Sequence, residues 1–213
     1  VKEVLNVFAL FRLCGYREDE INIDIVPLFE TMKGLDRAQE VIKQLYEMPV
    51  YKKHLERRKS AQTIMLGFSD GTKDGGYLKA NWEIYETKEQ LTKVSDEYGI
   101  KVIFFDGRGG PPARGGGKTH DFYASQGETI ANHQIELTVQ GQTITSVFGN
   151  KDQAKYNFEQ LLTAGIENDV FKNAKKNLTE KERKLIEELA EISYEKYSAL
   201  KAHPRFVPYL QEM

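Results

Sequence analysis

The stretch Lys101-Val102-Ile103-Phe104-Phe105 has four consecutive apolar residues and ends at Asp106, where a glycine-rich segment begins. A strand that is apolar at nearly every position is typical of a sheet covered on both faces. Such sheets are parallel, and helices join their strands. The stretch therefore predicts a buried parallel strand whose carboxyl end opens into a loop.

Two earlier segments have a similar character. I-N-I-D-I-V-P-L-F at Ile21 to Phe29 ends at Glu30, and T-I-M-L-G-F at Thr63 to Phe68 ends at Ser69-Asp70. Runs of β-branched and aromatic residues bounded by polar residues predict strands. A weaker fourth strand is predicted at about Ile135 to Val139.

Helices are predicted between and after the strands, because apolar residues recur at helical spacing behind capping residues. The first runs from an N-cap at Asp36, with Gln39 at N3, to Met48-Pro49. The second runs from about Tyr77 to Tyr98. The third begins at Thr179, with Glu182 as its capping partner, and continues towards Pro204. Alternating strands and helices indicate an α/β fold. Three or four βα units leave open sheet edges, so either the chain covers them unusually or it is part of something larger.

Composition excludes several classes of protein. The 213 residues include 30 Lys and Arg against 32 Asp and Glu, a formal charge of −2, so no excess positive field favours nucleic acid or an anionic membrane. Cys14 is the single cysteine and cannot form a disulfide within the chain. The longest apolar runs fall far short of the ~20 residues that span a bilayer. We expect a cytoplasmic protein with neither nucleic-acid nor membrane partners.

The segment from Phe105 to Lys118, F-D-G-R-G-G-P-P-A-R-G-G-G-K, carries the strongest functional signal. Six of the eleven residues from Gly107 to Gly117 are glycine. Glycine lets backbone N–H groups approach an anion, and Arg108 and Arg114 add donors that match phosphate or carboxylate oxygens. The alternative is a surface loop with solvated arginines. Its start at the end of a buried strand favours an anion-binding function.

A possible metal site follows the two preceding strands. Asp70 and Lys73 lie in a glycine-punctuated turn, and Glu30 closes the strand before them. Carboxylates at one rim of a parallel sheet suit Mg²⁺ or Mn²⁺, which take oxygen ligands and often share them with a phosphate. The alternative is a turn in which Asp70 or Asp74 caps the next helix.

Taken together, these motifs resemble those of the bacterial- and plant-type phosphoenolpyruvate carboxylase family. The similar segments, in the same order, are V-P-L-F-E-T (Val26 to Thr31), G-F-S-D-G-T-K-D-G-G (Gly67 to Gly76), N-W-E-I-Y (Asn81 to Tyr85), F-D-G-R-G-G-P-P-A-R-G-G-G (Phe105 to Gly117) and F-V-P-Y (Phe206 to Tyr209). The resemblance covers almost the whole chain. It implies that residues 1–213 form one region, the middle to later part of a catalytic TIM-type (β/α) barrel with many additional helices.

The resemblance also implies a chemistry. The family converts phosphoenolpyruvate and bicarbonate to oxaloacetate and phosphate with Mg²⁺ or Mn²⁺. Matched by motif, Glu30 and Asp70 are the metal ligands and Lys73 lies near metal and substrate. Arg108, with Gly109 and Gly110, binds the substrate phosphate.

Arg114 matches a loop arginine that the family ties to catalysis and to inhibition by aspartate. The resemblance further implies a homo-oligomeric parent protein and an inactive isolated fragment. One departure is Asp106, where the family commonly has histidine; either its carboxylate is oriented away or bicarbonate is handled differently. Two alternatives remain. One is another barrel enzyme that uses phosphoenolpyruvate, and the other is a non-catalytic module that binds an anionic effector through the Arg/Gly loop.

Overall fold

The computed structural model describes residues 1–108, 118–139, 141–170 and 177–213. Within them the chain forms one parallel sheet with the order β1-β2-β3-β4. The strands are β1 (Leu28–Phe29), β2 (Ala61–Gly67), β3 (Lys101–Gly107) and β4 (Ile135–Leu137). The predicted α/β class with a parallel sheet is confirmed, and the arrangement is compatible with a partial (β/α) barrel.

Eleven α-helices surround this sheet in the part of the chain that the structure describes. They are α1 (Lys2–Leu13), α2 (Met32–Asp36), α3 (Ala38–Glu47), α4 (Pro49–Arg57), α5 (Phe68–Gly75), α6 (Tyr77–Glu97), α7 (Thr119–Ala124), α8 (Gln142–Phe148), α9 (Lys151–Val170), α10 (Glu180–Lys201) and α11 (Phe206–Glu212). A single 3₁₀ turn occupies Glu18–Glu20. None of the helices in the described ranges combines the length and apolar character needed to cross a membrane.

The core lies where the sheet meets α3, α4 and α6. Ile64, Leu66 and Phe104 on β2 and β3 have no solvent exposure, and Ile42 and Leu45 of α3 are equally buried. Burying side chains of this size stabilises the fold by about 1.5–3 kcal/mol each, before the entropy of ordering the chain is subtracted. The strands predicted from continuous apolar residues are therefore the central ones.

The first predicted strand is mostly wrong, since only Leu28–Phe29 of the segment Ile21 to Phe29 pairs as a strand. The carbonyl of Ile25 accepts a hydrogen bond from the side-chain amide of Gln62, at 3.0 Å, instead of from a strand neighbour. Pro27 has no N–H to donate to a ladder. The Pro27 carbonyl still accepts the Met65 N–H at 2.9 Å, and the residues before it are held by the Gln62 side chain where backbone pairing was expected.

Two local predictions for helices also need correction. Asp36 does not begin a helix; it is the last residue of α2, and Arg37 is the N-cap of α3 without a side-chain cap. The turn expected around Gly71 is instead part of α5. By contrast, the capping box at Thr179 is confirmed, because its hydroxyl accepts from the Glu182 N–H at 3.3 Å while the Glu182 carboxylate accepts from the Thr179 N–H at 2.8 Å.

Candidate active site

Glu30 lies at the carboxyl edge of the sheet, directly after β1. Phe29 pairs with Leu66, so Glu30 is placed beside Gly67 at the end of β2. A β-carbon built on Gly67 would be 2.5 Å from the Cβ and 3.7 Å from Oε2 of Glu30. The half-buried Glu30 side chain is therefore accommodated by the missing side chain of Gly67.

Asp70 lies at the same edge, in the first turn of α5 after β2. Its Oδ1 is 2.6 Å from the Lys73 ammonium, and the two side chains are 52% and 61% exposed. An exposed pair of this kind contributes little to stability, typically ~0–1 kcal/mol. Both side chains are therefore open to a ligand arriving at the edge of the sheet.

The aspartates do not act as helix caps. Neither α5 nor α6, whose N-caps are Gly67 and Gly76, has a side-chain cap in the described structure. Asp74 Oδ2 instead accepts the Met32 N–H at 2.9 Å and so ties α5 to the segment that follows Glu30. The capping alternative is wrong, and Asp74 has a structural contact that Asp70 lacks.

Helix α10 anchors α5 from the other side. The Tyr197 hydroxyl and the Lys201 ammonium both donate to the Lys73 carbonyl, at 2.9 and 3.0 Å. Lys201 also donates to the Asp74 carbonyl at 3.0 Å. A cation that donates to the last carbonyls of a helix satisfies groups that have no partner within the helix. The carboxyl end of the helix that carries Asp70 is therefore held by α10 and by the segment that follows Glu30.

Arg108 follows the end of β3 and is only 5% exposed. Its Cζ lies 4.1 Å from the centroid of the Phe122 ring, and its Nη1 is 3.5 Å from Thr119 Oγ1. Burial lowers the pKa of the guanidinium, and nearby Tyr123 and Asp106 oppose this shift. The alternative of a solvated arginine is thus wrong for Arg108.

Three other residues predicted for the site, Gly109, Gly110 and Arg114, lie outside the described residues.

Asp106 is not at the mouth of the loop, as its sequence position suggested, but inside β3 and fully buried. Its Oδ2 is 2.8 Å from the ammonium of Lys88, on α6, and accepts the Tyr123 hydroxyl at 2.9 Å. The carboxylate therefore faces helices α6 and α7.

Sequence reasoning missed Lys88 and Tyr123. A signal for Lys88 existed: it stands at helical spacing between the buried Ile84 and Leu91, where a charged residue needs a buried partner. Burial lowers the pKa of the Lys88 ammonium, an effect that Asp106 opposes. Burial first, and then Asp106, raise the pKa of Tyr123, which keeps the phenol protonated as a donor.

The carboxylates fit a hard divalent cation by their chemistry. No group of three His, Cys, Asp or Glu residues suited to a metal occurs among the residues that the structure describes. Two carboxylates with open positions are nevertheless the usual protein contribution to Mg²⁺, which keeps several waters and shares substrate phosphates. Glu30 and Asp70 are two carboxylates at one edge of the sheet, which is the type of ligand that such a site uses.

Comparison with known proteins identifies the family of the chain. The chain is 33% identical over 210 residues to the phosphoenolpyruvate carboxylase of Corynebacterium efficiens. The match covers 98% of this chain and 23% of that protein, so the chain spans about a quarter of the relative's length. The sequence model of the family described as phosphoenolpyruvate carboxylase matches residues 1–213. The chain therefore belongs to the phosphoenolpyruvate carboxylase family.

Proposed function

We propose that this chain supplies part of the active site of an enzyme that carboxylates phosphoenolpyruvate with bicarbonate, giving oxaloacetate and phosphate. The observation that carries the proposal is the common edge of the sheet shared by Glu30 after β1 and Asp70 after β2. Arg108 follows the neighbouring strand, β3, so two acidic groups and one cation follow three adjacent parallel strands. A non-catalytic anion-binding module would need only the arginine loop.

In this proposal Glu30 and Asp70 hold Mg²⁺ or Mn²⁺. The bound cation supplies positive charge to the phosphate and enolate oxygens of the substrate. Glu30 occupies the space left by the missing side chain of Gly67, and Asp70 lies on α5, which α10 anchors. Lys73 adds a second positive charge beside Asp70 and orients the substrate.

Arg108 binds the phosphate. The guanidinium is buried against aromatic rings, so a charged hydrogen bond from it is stronger there than in water. Phosphoryl transfer to bicarbonate spreads charge over the oxygens of the transferred group and develops charge on the departing enolate oxygen, and preorganised donors are most effective where charge develops. Gly109 and Gly110 contribute backbone donors, and Arg114 contributes to turnover and to inhibition by an aspartate-type effector.

Residues 1–213 are proposed as the middle to later part of the barrel domain of the whole protein. Large apolar side chains on the last three helices support this, because they are more than half exposed: Leu162, Ile166, Leu185, Ile192, Val207 and Leu210. Exposed apolar faces of this extent are typical of surfaces that pack against further protein. The same proposal includes a homo-oligomeric, cytoplasmic, anaplerotic enzyme feeding the tricarboxylic acid cycle, and an inactive isolated chain.

The test is oxaloacetate formation by the complete protein that contains this chain, with phosphoenolpyruvate, bicarbonate and Mn²⁺. Glu30→Gln and Asp70→Asn are expected to raise the Mn²⁺ concentration needed for half-maximal activity by at least about tenfold, since each removes a charged ligand. Glu56→Gln, an exposed carboxylate on α4, is the matched control and should behave like the unmodified protein. A complete protein that forms no oxaloacetate would refute the proposed function.

A further inference from the structure

Three charged side chains form a buried row between β3 and the helices α6 and α7. Lys88 comes from α6, Asp106 from β3, and Arg108 from the residue after β3. Their exposed fractions are 1%, 0% and 5%. Residues 106 and 108 are two positions apart in extended backbone, so they lie on the same face.

Helix α7 contacts every member of this row. The Tyr123 hydroxyl donates to the same Asp106 oxygen that pairs with Lys88. The Phe122 ring lies 4.1 Å from Arg108 Cζ and 5.2 Å from Lys88 Nζ, and the corresponding distances for the Tyr123 ring are 5.7 and 5.8 Å. Lys88, Asp106 and Tyr123 thus connect α6 and β3 to the aromatic surface on which Arg108 lies.

Stability alone does not account for this row. The desolvation of two buried charges can exceed their mutual attraction, so an apolar pair of similar volume is often equally stable or more stable. Asp106 Oδ1, moreover, is buried without a hydrogen-bond partner in the described part of the chain. A group buried at such a cost points to a role beyond packing.

We propose that Lys88, Asp106 and Tyr123 are positioning residues: together they hold α7 under Arg108 and so fix the guanidinium for a phosphate monoester. The inference rests on the proposed function, in which Arg108 binds the substrate phosphate. Tyr123 connects Asp106 to Arg108, because its hydroxyl donates to Asp106 and its ring contacts the guanidinium. Phe122, next to it on α7, provides the face on which Arg108 stacks.

The experiment uses the complete protein and two kinds of variant. Tyr123→Phe keeps the ring and removes the hydroxyl that donates to Asp106. The double variant Lys88→Met with Asp106→Asn removes both charges together, because removing one alone would leave the other buried and unpaired and would destabilise the fold. Thermal unfolding, affinity for phosphoenolpyruvate by calorimetry, and the KM values for both substrates are measured for each.

We expect both variants to unfold near the temperature of the unmodified protein. Affinity for phosphoenolpyruvate should fall about tenfold in the double variant, the lower end for losing one well-placed charged hydrogen bond, and severalfold in Tyr123→Phe. The KM for bicarbonate should not change. A purely structural role would change the unfolding temperature and leave the affinity for phosphoenolpyruvate unaltered.

Unchanged affinity in Tyr123→Phe overturns the inference, whether or not the double variant folds. If the complete protein forms no oxaloacetate, the proposed function fails separately. Weaker binding of phosphoenolpyruvate by Tyr123→Phe in that case would still support positioning of Arg108. Calorimetry therefore distinguishes the failure of the inference from the failure of the activity.

Discussion

Glu30 lies in the space that a side chain on Gly67 would occupy, at the carboxyl edge of β1 and β2. A β-carbon on Gly67 would lie 2.5 Å from the Glu30 Cβ, closer than real β-carbons approach, and 3.1 Å from its Cα, a distance tighter than most. The backbone of Gly67 has φ −92° and ψ 105°, an extended conformation open to other residues. The glycine is therefore required by space, since its dihedral angles suit an alanine.

Gly67→Ala should consequently displace Glu30 and weaken metal binding. We expect the complete protein to need about tenfold more Mn²⁺ for half-maximal activity, because a shift of the order of 1 Å at a ligand has effects of this size or larger. Gly165→Ala is the matched control, since a β-carbon there has no neighbour within 4 Å in the described structure. If the variant needs the same Mn²⁺ concentration as the unmodified protein, the assignment of Glu30 as a metal ligand is refuted.

Arg108→Ala should lower catalytic efficiency for phosphoenolpyruvate. A charged hydrogen bond to a buried phosphate is typically worth ~1.5–3 kcal/mol, which corresponds to a roughly ten- to 150-fold loss in kcat/KM. Arg114→Ala should reduce turnover and relieve any inhibition by aspartate. Steady-state kinetics with and without aspartate separate the two residues, and unchanged kinetics in both variants would exclude these roles.

The contact between α6 and α10 should depend on pH through Glu86. Burial first, and then the carboxylates of Glu187 and Glu83, raise the pKa of Glu86 from 4.5 to about 7. The pKa of Glu86 is higher in the folded protein than in the unfolded chain, so protonated Glu86 stabilises the docked helices. This contribution is complete below about pH 4.5. That contribution is lost as the pH rises towards 7. Arg183 and Lys79, which also face Glu86, oppose the shift.

Glu86→Gln should therefore protect α10 at high pH. We expect amide hydrogen exchange over Glu180–Lys201, corrected for its intrinsic pH dependence, to be slower in the variant at pH 8 and similar at pH 5. Glu188→Gln, an exposed carboxylate on α10, is the control. If the variant and the unmodified protein are equally protected at pH 8, ionisation of Glu86 does not destabilise the contact between α6 and α10.

The central strands could be predicted because burial on both faces leaves a continuous apolar run, as in Val102 to Phe105. The conformation of the segment before Phe29 could not be predicted, because its polar contacts are with residues distant in sequence. The Ile25 carbonyl, for example, accepts from the side chain of Gln62, which is 37 residues away. Helix α5 was also missed, since its glycines favour turns locally. Its backbone is held by Lys201, 128 residues after Lys73.

The same limit applies to the candidate site. Glu30, Asp70 and Arg108 each follow a strand, so their common edge follows from parallel topology alone. The direction of the Asp106 side chain does not, because a residue at a predicted strand end can point to either face. Its partner Lys88 is identified only once α6 is packed against β3.

Lys201 links the end of α10 to the helix that carries Asp70. Its ammonium donates to the carbonyls of Lys73 and Asp74, both at 3.0 Å. Lys201→Met should loosen the last turn of α5 by about 1 kcal/mol, because it removes a charged donor from carbonyls at a helix end. Faster amide exchange over Phe68–Gly75 and weaker Mn²⁺ activation are the expected results.

Lys196→Met, at an exposed position of α10, is the matched control for this change. Lys201→Arg should restore most of the protection, since the guanidinium can donate to both carbonyls. If exchange in α5 increases while Mn²⁺ activation stays constant, the anchor stabilises the helix without positioning Asp70. Parallel changes in both measurements would instead mean that α10 contributes to metal binding from outside the sheet edge.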